Sequence, residues 1–541
     1  MRRLALPIAV TAAALLFRLA TASIVNDDYL HLSVAQQIVL GDVPVRDFID
    51  PGEFLFNYTS AAAQMLLGRR MLSEVLLDIV FLALGHGLVF VLAWRASGSW
   101  ILALLVTVLS VVLVTRLYSY PKIFLYALAL VTIWKYADDR RSRTLLWASV
   151  FTAVAFLFRH DHGARVGIAM AAMLVMAHWA DGWRVIARKI LMFGGATASL
   201  LLPFLVFVQL QGTGFSYWRN MLESGRTEYQ RTVGPVPRFH FDPAGMLLDE
   251  QNALAWLYYL TILLPWLTLI ILARDVYRER SGGADGRASP MRHEAQKMAA
   301  AAVLAVAMHL YLLRAASESA IADVSTTTAV LGAWLLARGL GPAVRRSARW
   351  TRTIGPAIAS LAVIAGTLAL IPSTEGGAAV RALVADMRGD ERGVFRRIDE
   401  FRRMAAPYED EGARYVFACT AESDRLLVAS SYAPHAYYAA GRGFAAGRHY
   451  FLVSLGPSPE LHAFSAQRLR EQRVPIVLVN PPDYDAFAKG YESIHQYLVE
   501  HYRDAGTTTF DDSEIKVLVD TRIQPVGTWG PQSLPCFRGA E

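Results

Sequence analysis

Two adjacent carboxylates, Asp27 and Asp28, follow directly on the first apolar run and open the stretch NDDYLHLSVAQQIVLGDVPVRDFIDPGEFLFNY, Asn26 to Tyr58. A carboxylate at the boundary of a bilayer is costly, so a pair there points to a task. One Asp is enough to cap a helix by accepting from its free N–H groups. Two, with Asp42, Asp47, Asp50 and Glu53 close behind, point beyond capping to general-base or metal chemistry. Tyr29, Asp50 and Glu53 are the residues of this stretch expected to line a substrate cavity with the pair.

Cations recur at matching places. Lys122 follows Pro121 in LYSYPKIFLYAL, with Arg116 a few residues back. It could snorkel to headgroups or hold a phosphate together with the free N–H groups of a helix start. FLFRHDHGA packs Arg159, His160, Asp161 and His162 together. Two histidines around an aspartate need a third partner to make a metal site. The other reading is a polar cluster facing the cavity of Asp27, with Arg159 on a phosphate. The stretch FSYWRNMLESGRTEYQRTVGPVPRFHF interleaves Tyr217, Trp218 and Tyr229 with Arg219, Arg226, Arg231 and Arg238. That pattern suits an interfacial amphipathic helix among membrane lipids, and Arg226 and Arg231 are further candidates for a lipid phosphate. The sequence assigns no cofactor; a divalent cation and its ligands stay open.

The elements that must position these residues are membrane helices. Of 541 residues 54% are hydrophobic and 18% charged, and the mean hydropathy is +0.32, values that exclude an ordinary soluble enzyme of this length. The apolar runs predict eleven spans at 4–24, 72–94, 99–116, 120–137, 144–159, 164–181, 189–209, 253–273, 298–314, 320–338 and 353–371. The first could pass for a secretory signal, with Arg2 and Arg3 as its basic region, but Arg18 within it and the acidic pair at its end favour a retained helix. Lys and Arg crowd alternate connections, around Arg95, Lys135 to Arg143, Arg184 to Lys189, Arg274 to Lys297 and Arg338 to Arg352. This is the positive-inside pattern, so the net charge of +7 does not call for nucleic acid. It places the 26–71 and 210–252 loops, and everything after 371, on the outer face.

Under that topology Arg18, Asp78, Arg116, Lys122, Arg159, Asp161, Arg314, Glu318 and Asp323 fall near outer helix ends, and His86 is the main exception. The stretch SGGADGRASP, 281–290, reads as a flexible cytoplasmic linker. Residues 1–371 form the membrane domain and 372–541 a soluble α/β domain. In the latter RYVFAC, HYFLVSL and VPIVLVN look like strands, and LHAFSAQRLREQR and YESIHQYLVEHYRD like helices. Cys419 and Cys536, the only cysteines, lie there, and a disulfide between them stays open. SYAPHAYYAAGRGF, with Tyr432, His435, Tyr437 and Tyr438, is read as a packed loop rather than a reach over the acceptor.

These pieces resemble the GT-C superfamily of membrane glycosyltransferases, in the branch of protein O-mannosyltransferases and aminoarabinose transferases. The likeness rests on Asp27-Asp28 after the first span, LHLSVAQQIVLGD with Gly41, and the Asp50-Pro51-Gly52 turn leading to Phe56 and Tyr58. The long loop before the eighth span and the C-terminal domain with VPIVLVNPP add to it. Many relatives carry Asp-Glu in place of Asp27-Asp28 and Pro-Pro in place of Pro51-Gly52, which leaves the acceptor class open. The resemblance implies a polytopic GT-C fold and transfer of a sugar, with inversion, from a polyprenyl-phosphate donor to a hydroxyl of a glycan, lipid or protein. The expected place is the periplasmic face of a bacterial plasma membrane. Asp27 would take the acceptor proton, Asp28 would orient it or bind an ion, and Lys122, Arg159 and arginines of the 219–238 loop would receive the leaving phosphate.

Two other classes compete. A transporter or flippase of lipid-linked glycans would need ionisable residues through the membrane depth and paired halves with interrupted helices. An O-antigen ligase or polymerase would use outer arginines and histidines without the Asp pair.

Overall fold

The computed structural model describes residues 2–211, 214–232, 235–241, 249–282, 293–344, 350–389, 393–404, 410–431, 433–452, 459–510 and 512–538. Helices run in order as α1 (Arg2–Thr21), α2 (Asn26–Val39), α3 (Phe54–Leu67), α4 (Met71–Ser97), α5 (Trp100–Leu113), α6 (Tyr120–Asp139), α7 (Ser142–Phe158) and α8 (His160–Ala177). They continue as α9 (Trp183–Leu210), α10 (Gly214–Thr232), α11 (Glu250–Gly282), α12 (His293–Arg314), α13 (Glu318–Asp323), α14 (Ser325–Val344), α15 (Trp350–Leu370), α16 (Glu375–Gly389) and α17 (Gly393–Arg403). The chain divides into two compact units. One holds Met1–Ser23, Asp78–Leu202 and Thr232–Arg397, and the other Ile24–Leu77, Pro203–Arg231 and Ile398–Glu541.

The first unit is helical. All eleven expected spans contain helix, but among the described residues only seven helices are long and apolar enough to cross a membrane, in α1, α4, α6, α9, α11, α12 and α15. The reason is length and charge. At 14 and 17 residues, α5 and α7 reach about 21 and 26 Å, short of a hydrocarbon core of about 30 Å. The first turns of α8 carry His160, Asp161 and Arg165. The expected 320–338 span is broken at Val324, between α13 and α14. Polar groups inside the unit find one another, as where Ser110 and Ser325 share a hydrogen bond of 3.0 Å. The turn from α7 into α8 needs Gly163, because a Cβ there would stand 2.6 Å from the Cα of Phe156. Most of the expected 281–290 linker lies outside the described residues.

The second unit is built on a five-stranded sheet of β1 (Arg425–Ala429), β2 (Gly443–Phe444), β3 (Ile476–Val479), β4 (Tyr502–Phe510) and β5 (Ser513–Asp520), in the order β2-β1-β3-β5-β4. β1 pairs in parallel with β2 and β3, and β5 antiparallel with β3 and β4. Both faces are covered, so β3 is apolar throughout and β1 is apolar after Arg425. Leu427, Ala429, Val477 and Val479 turn to a core with Phe487, Tyr491 and Leu498. Leu426, Val428, Ile476 and Leu478 turn to the opposite core, which includes Val34 of α2 and Phe48. The helix that starts with the acidic pair is thus part of the core of the sheet domain.

VPIVLVN contains β3, and the two expected helical segments form helices Pro459–Glu471 and Glu492–His501. RYVFAC is not a strand: Glu411–Cys419 is a helix, capped by Asp410, whose Oδ1 accepts from the N–H of Ala413 at 2.9 Å. Its buried Tyr415, Val416 and Cys419 fall one turn apart, a spacing that a strand cannot place on one face. HYFLVSL is irregular over its described part, and 453–458 lie outside the described residues. Cys419 and Cys536 are joined in a disulfide.

Candidate functional site

The acidic pair divides its work. Val25, with extended backbone, is the N-cap of α2, and its N–H donates to Asp28 Oδ2 at 2.7 Å. Asp28 is 2% exposed and closes the helix start. Asp27, beside it in the first turn, is partly exposed. Tyr29 lies edge-on to His435 at 6.0 Å and tilted to Tyr438 at 6.4 Å. Tyr437 and Tyr438 are buried, and Tyr432 lies outside the described residues.

Two buried glutamines fix α2 against the sheet domain. Gln36 Nε2 donates to the carbonyls of Tyr437 and Arg442, at 2.8 Å each. Gln37 donates to the carbonyl of Phe444 and accepts from its N–H. Beyond them, Arg425 pairs with Asp42 at 2.8 Å.

Asp50 shapes the turn before α3. Its Oδ1 accepts from the N–H groups of Gly52 (3.1 Å) and Glu53 (3.0 Å), with Gly52 at φ +97°. Asp50 is 5% exposed, and its Oδ2 has no partner among the described residues. Burial, and secondarily the Glu53 charge, push its carboxyl up to about 7 against the pull of the two N–H bonds. Glu53 stands 3.8 Å from His31 Nδ1, and His31 rests on Phe56 at 4.0 Å. His31 is one turn past Asp27, on the same face of α2.

The other candidates belong to the helical unit. Arg159 is the N-cap of α8. Asp161 lies between two arginines: Arg159 Nε at 3.1 Å from one oxygen and Arg165 at 2.9 Å from the other. Tyr311 of α12 donates its O–H to Asp161 at 2.7 Å. Three cations surround the Tyr311 ring, Arg165 at 4.0 Å, Lys122 at 5.2 Å and Arg159 at 5.6 Å. Lys122 is also bonded to Asp323, and both are buried. His162 faces Tyr311 and Tyr126, whereas His160 turns back onto Phe156, stacked at 4.2 Å.

Arg226 is exposed on α10, and the side chain of Arg231 lies outside the described residues. Among the described residues no three His, Cys, Asp or Glu side chains converge to hold a metal ion.

Sequence reasoning singled out Lys122, Arg159, Asp161 and His162, and the structure brings them together. It missed Tyr311, a tyrosine in an alanine-rich apolar helix with no local signal, and it did not single out Arg165. Gln36 and Gln37 were legible only as polar residues inside LHLSVAQQIVL, and their partners lie about 400 residues away.

No protein-family model matches the chain, and no curated protein matches it. Among solved structures it is similar to ArnT from Cupriavidus metallidurans, in the apo state and bound to undecaprenyl phosphate. Each alignment covers 95% of this chain and 97% of the other at 13% identity, with a TM-score of 0.49, a likeness too slight to transfer any residue's role.

Proposed function

We propose that the chain is an inverting membrane glycosyltransferase that moves a sugar from a polyprenyl-phosphate donor to an acceptor hydroxyl at the outer face of a bacterial plasma membrane. The observation that carries this reading is the unequal pair at the start of α2. Asp28 accepts from the Val25 N–H at the helix start, and Asp27, in the same first turn, is the more exposed of the two carboxylates. Capping explains one Asp and not two.

In this reading Asp27 accepts the acceptor proton as the hydroxyl oxygen attacks the anomeric carbon. The bond to the donor phosphate oxygen breaks on the opposite face, and the polyprenyl phosphate leaves with the bonding electrons. The developing charge calls for fixed cations, and Arg159, with Arg165 and Lys122, is the proposed candidate for that role within the helical unit. The donor would be lipid-borne, and the acceptor a glycan, a lipid or a protein hydroxyl.

The test is transfer from a radiolabelled polyprenyl-phosphate sugar to envelope glycolipids by the full-length protein in nanodiscs. Asp27→Asn should lower turnover by about 10² to 10⁴-fold with an unchanged melting temperature. Asp28→Ala should lower stability as well. Full turnover in Asp27→Asn would remove the base and with it the mechanism.

A further inference from the structure

The cation cluster of the helical unit already contains an anion. Asp161 occupies the first turn of α8, bridged by Arg159 and Arg165, where free N–H groups and two guanidinium groups would otherwise face a ligand. The two arginines differ in access. Arg165 has a side chain 10% exposed, rests against the Tyr311 ring and also donates to Tyr126 at 3.2 Å. Arg159 has a side chain 32% exposed, and Asp161 one 33% exposed. The open side of the cluster is therefore the Arg159–Asp161 pair, and the closed side is Arg165 with Tyr311.

The two oxygens of Asp161 follow the same division. One faces Arg159, and the other takes the Tyr311 hydroxyl and Arg165 together. An anion arriving from the open side competes with Asp161 for Arg159 alone, while Tyr311 and Arg165 still hold the second oxygen. The first oxygen is itself buried, and when it gives up Arg159 it keeps His162 Nε2, 3.9 Å away.

On the reading of this cluster as the donor-phosphate site, we propose that Asp161 is a resident stand-in for the lipid phosphate. Tyr311 is the positioning residue that decides whether Arg159 is held by Asp161 or released to the phosphate. Loss of the Tyr311 hydroxyl leaves Asp161 more dependent on Arg159, and the phosphate is bound less well. Loss of the Asp161 charge removes the competitor, and the hydroxyl of Tyr311 then has nothing to control.

The experiment is binding of undecaprenyl phosphate, with undecaprenol as the uncharged control, to full-length protein in detergent. Wild type, Tyr311→Phe, Asp161→Asn and the double variant are compared, with a melting temperature for each. Tyr311→Phe should weaken phosphate binding about tenfold, the loss of one hydrogen bond to a charged group. In transfer kinetics its donor KM should rise by a similar factor, with a smaller change in kcat. Asp161→Asn should bind more tightly than wild type, and adding Tyr311→Phe to it should change affinity less than twofold. If Asp161→Asn fails to fold, Arg159→Gln serves as the second background, and Tyr311→Phe should again have no further effect. Unchanged affinity in Tyr311→Phe, or a tenfold loss that persists in either background, overturns the role of Tyr311 and leaves the donor-site reading standing. A wild-type protein that does not distinguish undecaprenyl phosphate from undecaprenol overturns both.

Discussion

Gln37 completes the edge of the sheet with its side chain. Its Nε2 donates to the carbonyl of Phe444 at 3.2 Å, and its Oε1 accepts from the N–H of the same residue at 2.8 Å. The side chain does what a neighbouring strand would do, and it comes from the helix that carries Asp27. Gln37→Leu therefore leaves two buried main-chain groups without partners. The expected cost is about 2 to 4 kcal/mol, read as a lower melting temperature, with turnover falling as the α2 start loses its fixed position. Unchanged stability would mean that water or a shifted strand replaces the amide.

Asp28 and Asp27 should separate in the same way that their contacts do. Asp28→Ala removes the bond from the Val25 N–H and should cost about 1 kcal/mol of stability, with turnover reduced only through a frayed helix start. Asp28→Asn keeps an acceptor and should recover most of the stability. A variant at Asp28 that keeps its melting temperature and loses all turnover would make Asp28 the base.

How far the sequence could lead is clear from these two residues. Helix is found at each of the eleven expected spans because span-length apolarity is a local signal, whereas α16, which is not apolar, was placed in the soluble domain. Seven of these spans are long and apolar enough to cross on their own among the described residues, whereas α5 and α7 are apolar but shorter. The acidic pair was legible because two carboxylates after an apolar run are unusual. Its anchor was not, since Gln37 and Phe444 meet only in three dimensions, and Tyr311 has no neighbour in sequence that marks it.

Asp50 should make stability depend on pH. Its ordinary value is 3.8, and burial raises it to about 7 in the folded chain. The folded state thus binds more protons than the unfolded state between those values. Stability from this group is full below about pH 4 and is lost as pH rises through about 7. Asp50→Asn should flatten the stability between pH 4 and 7 and raise it at pH 8 by on the order of 2 to 4 kcal/mol, read as a higher melting temperature. An unchanged slope would show that Asp50 is ionised in the fold.

The disulfide ties the helix Glu411–Cys419 to the last strand, Leu534–Cys536, across 117 residues. Replacing both cysteines by alanine releases that loop in the unfolded chain, at an expected cost of about 4 to 5 kcal/mol. The sheet domain should melt earlier and show faster proteolysis, while the helical unit is unaffected. Equal melting in reducing and non-reducing buffer would count against it.

Lys122 and Asp323 test whether a cation in the cluster is there for the fold or for the donor. Both are buried, so removing one partner strands a charge: Lys122→Met alone should destabilise by about 3 to 5 kcal/mol. Lys122→Met with Asp323→Leu removes both charges and should fold nearly as well as wild type. The folded double variant is the informative protein, since its stability no longer obscures its activity. If Lys122 helps to receive the leaving phosphate, the double variant keeps its melting temperature and loses about 10²-fold or more in turnover. If Lys122 serves only Asp323, turnover returns with stability, and Arg159 is left as the cation that meets the donor.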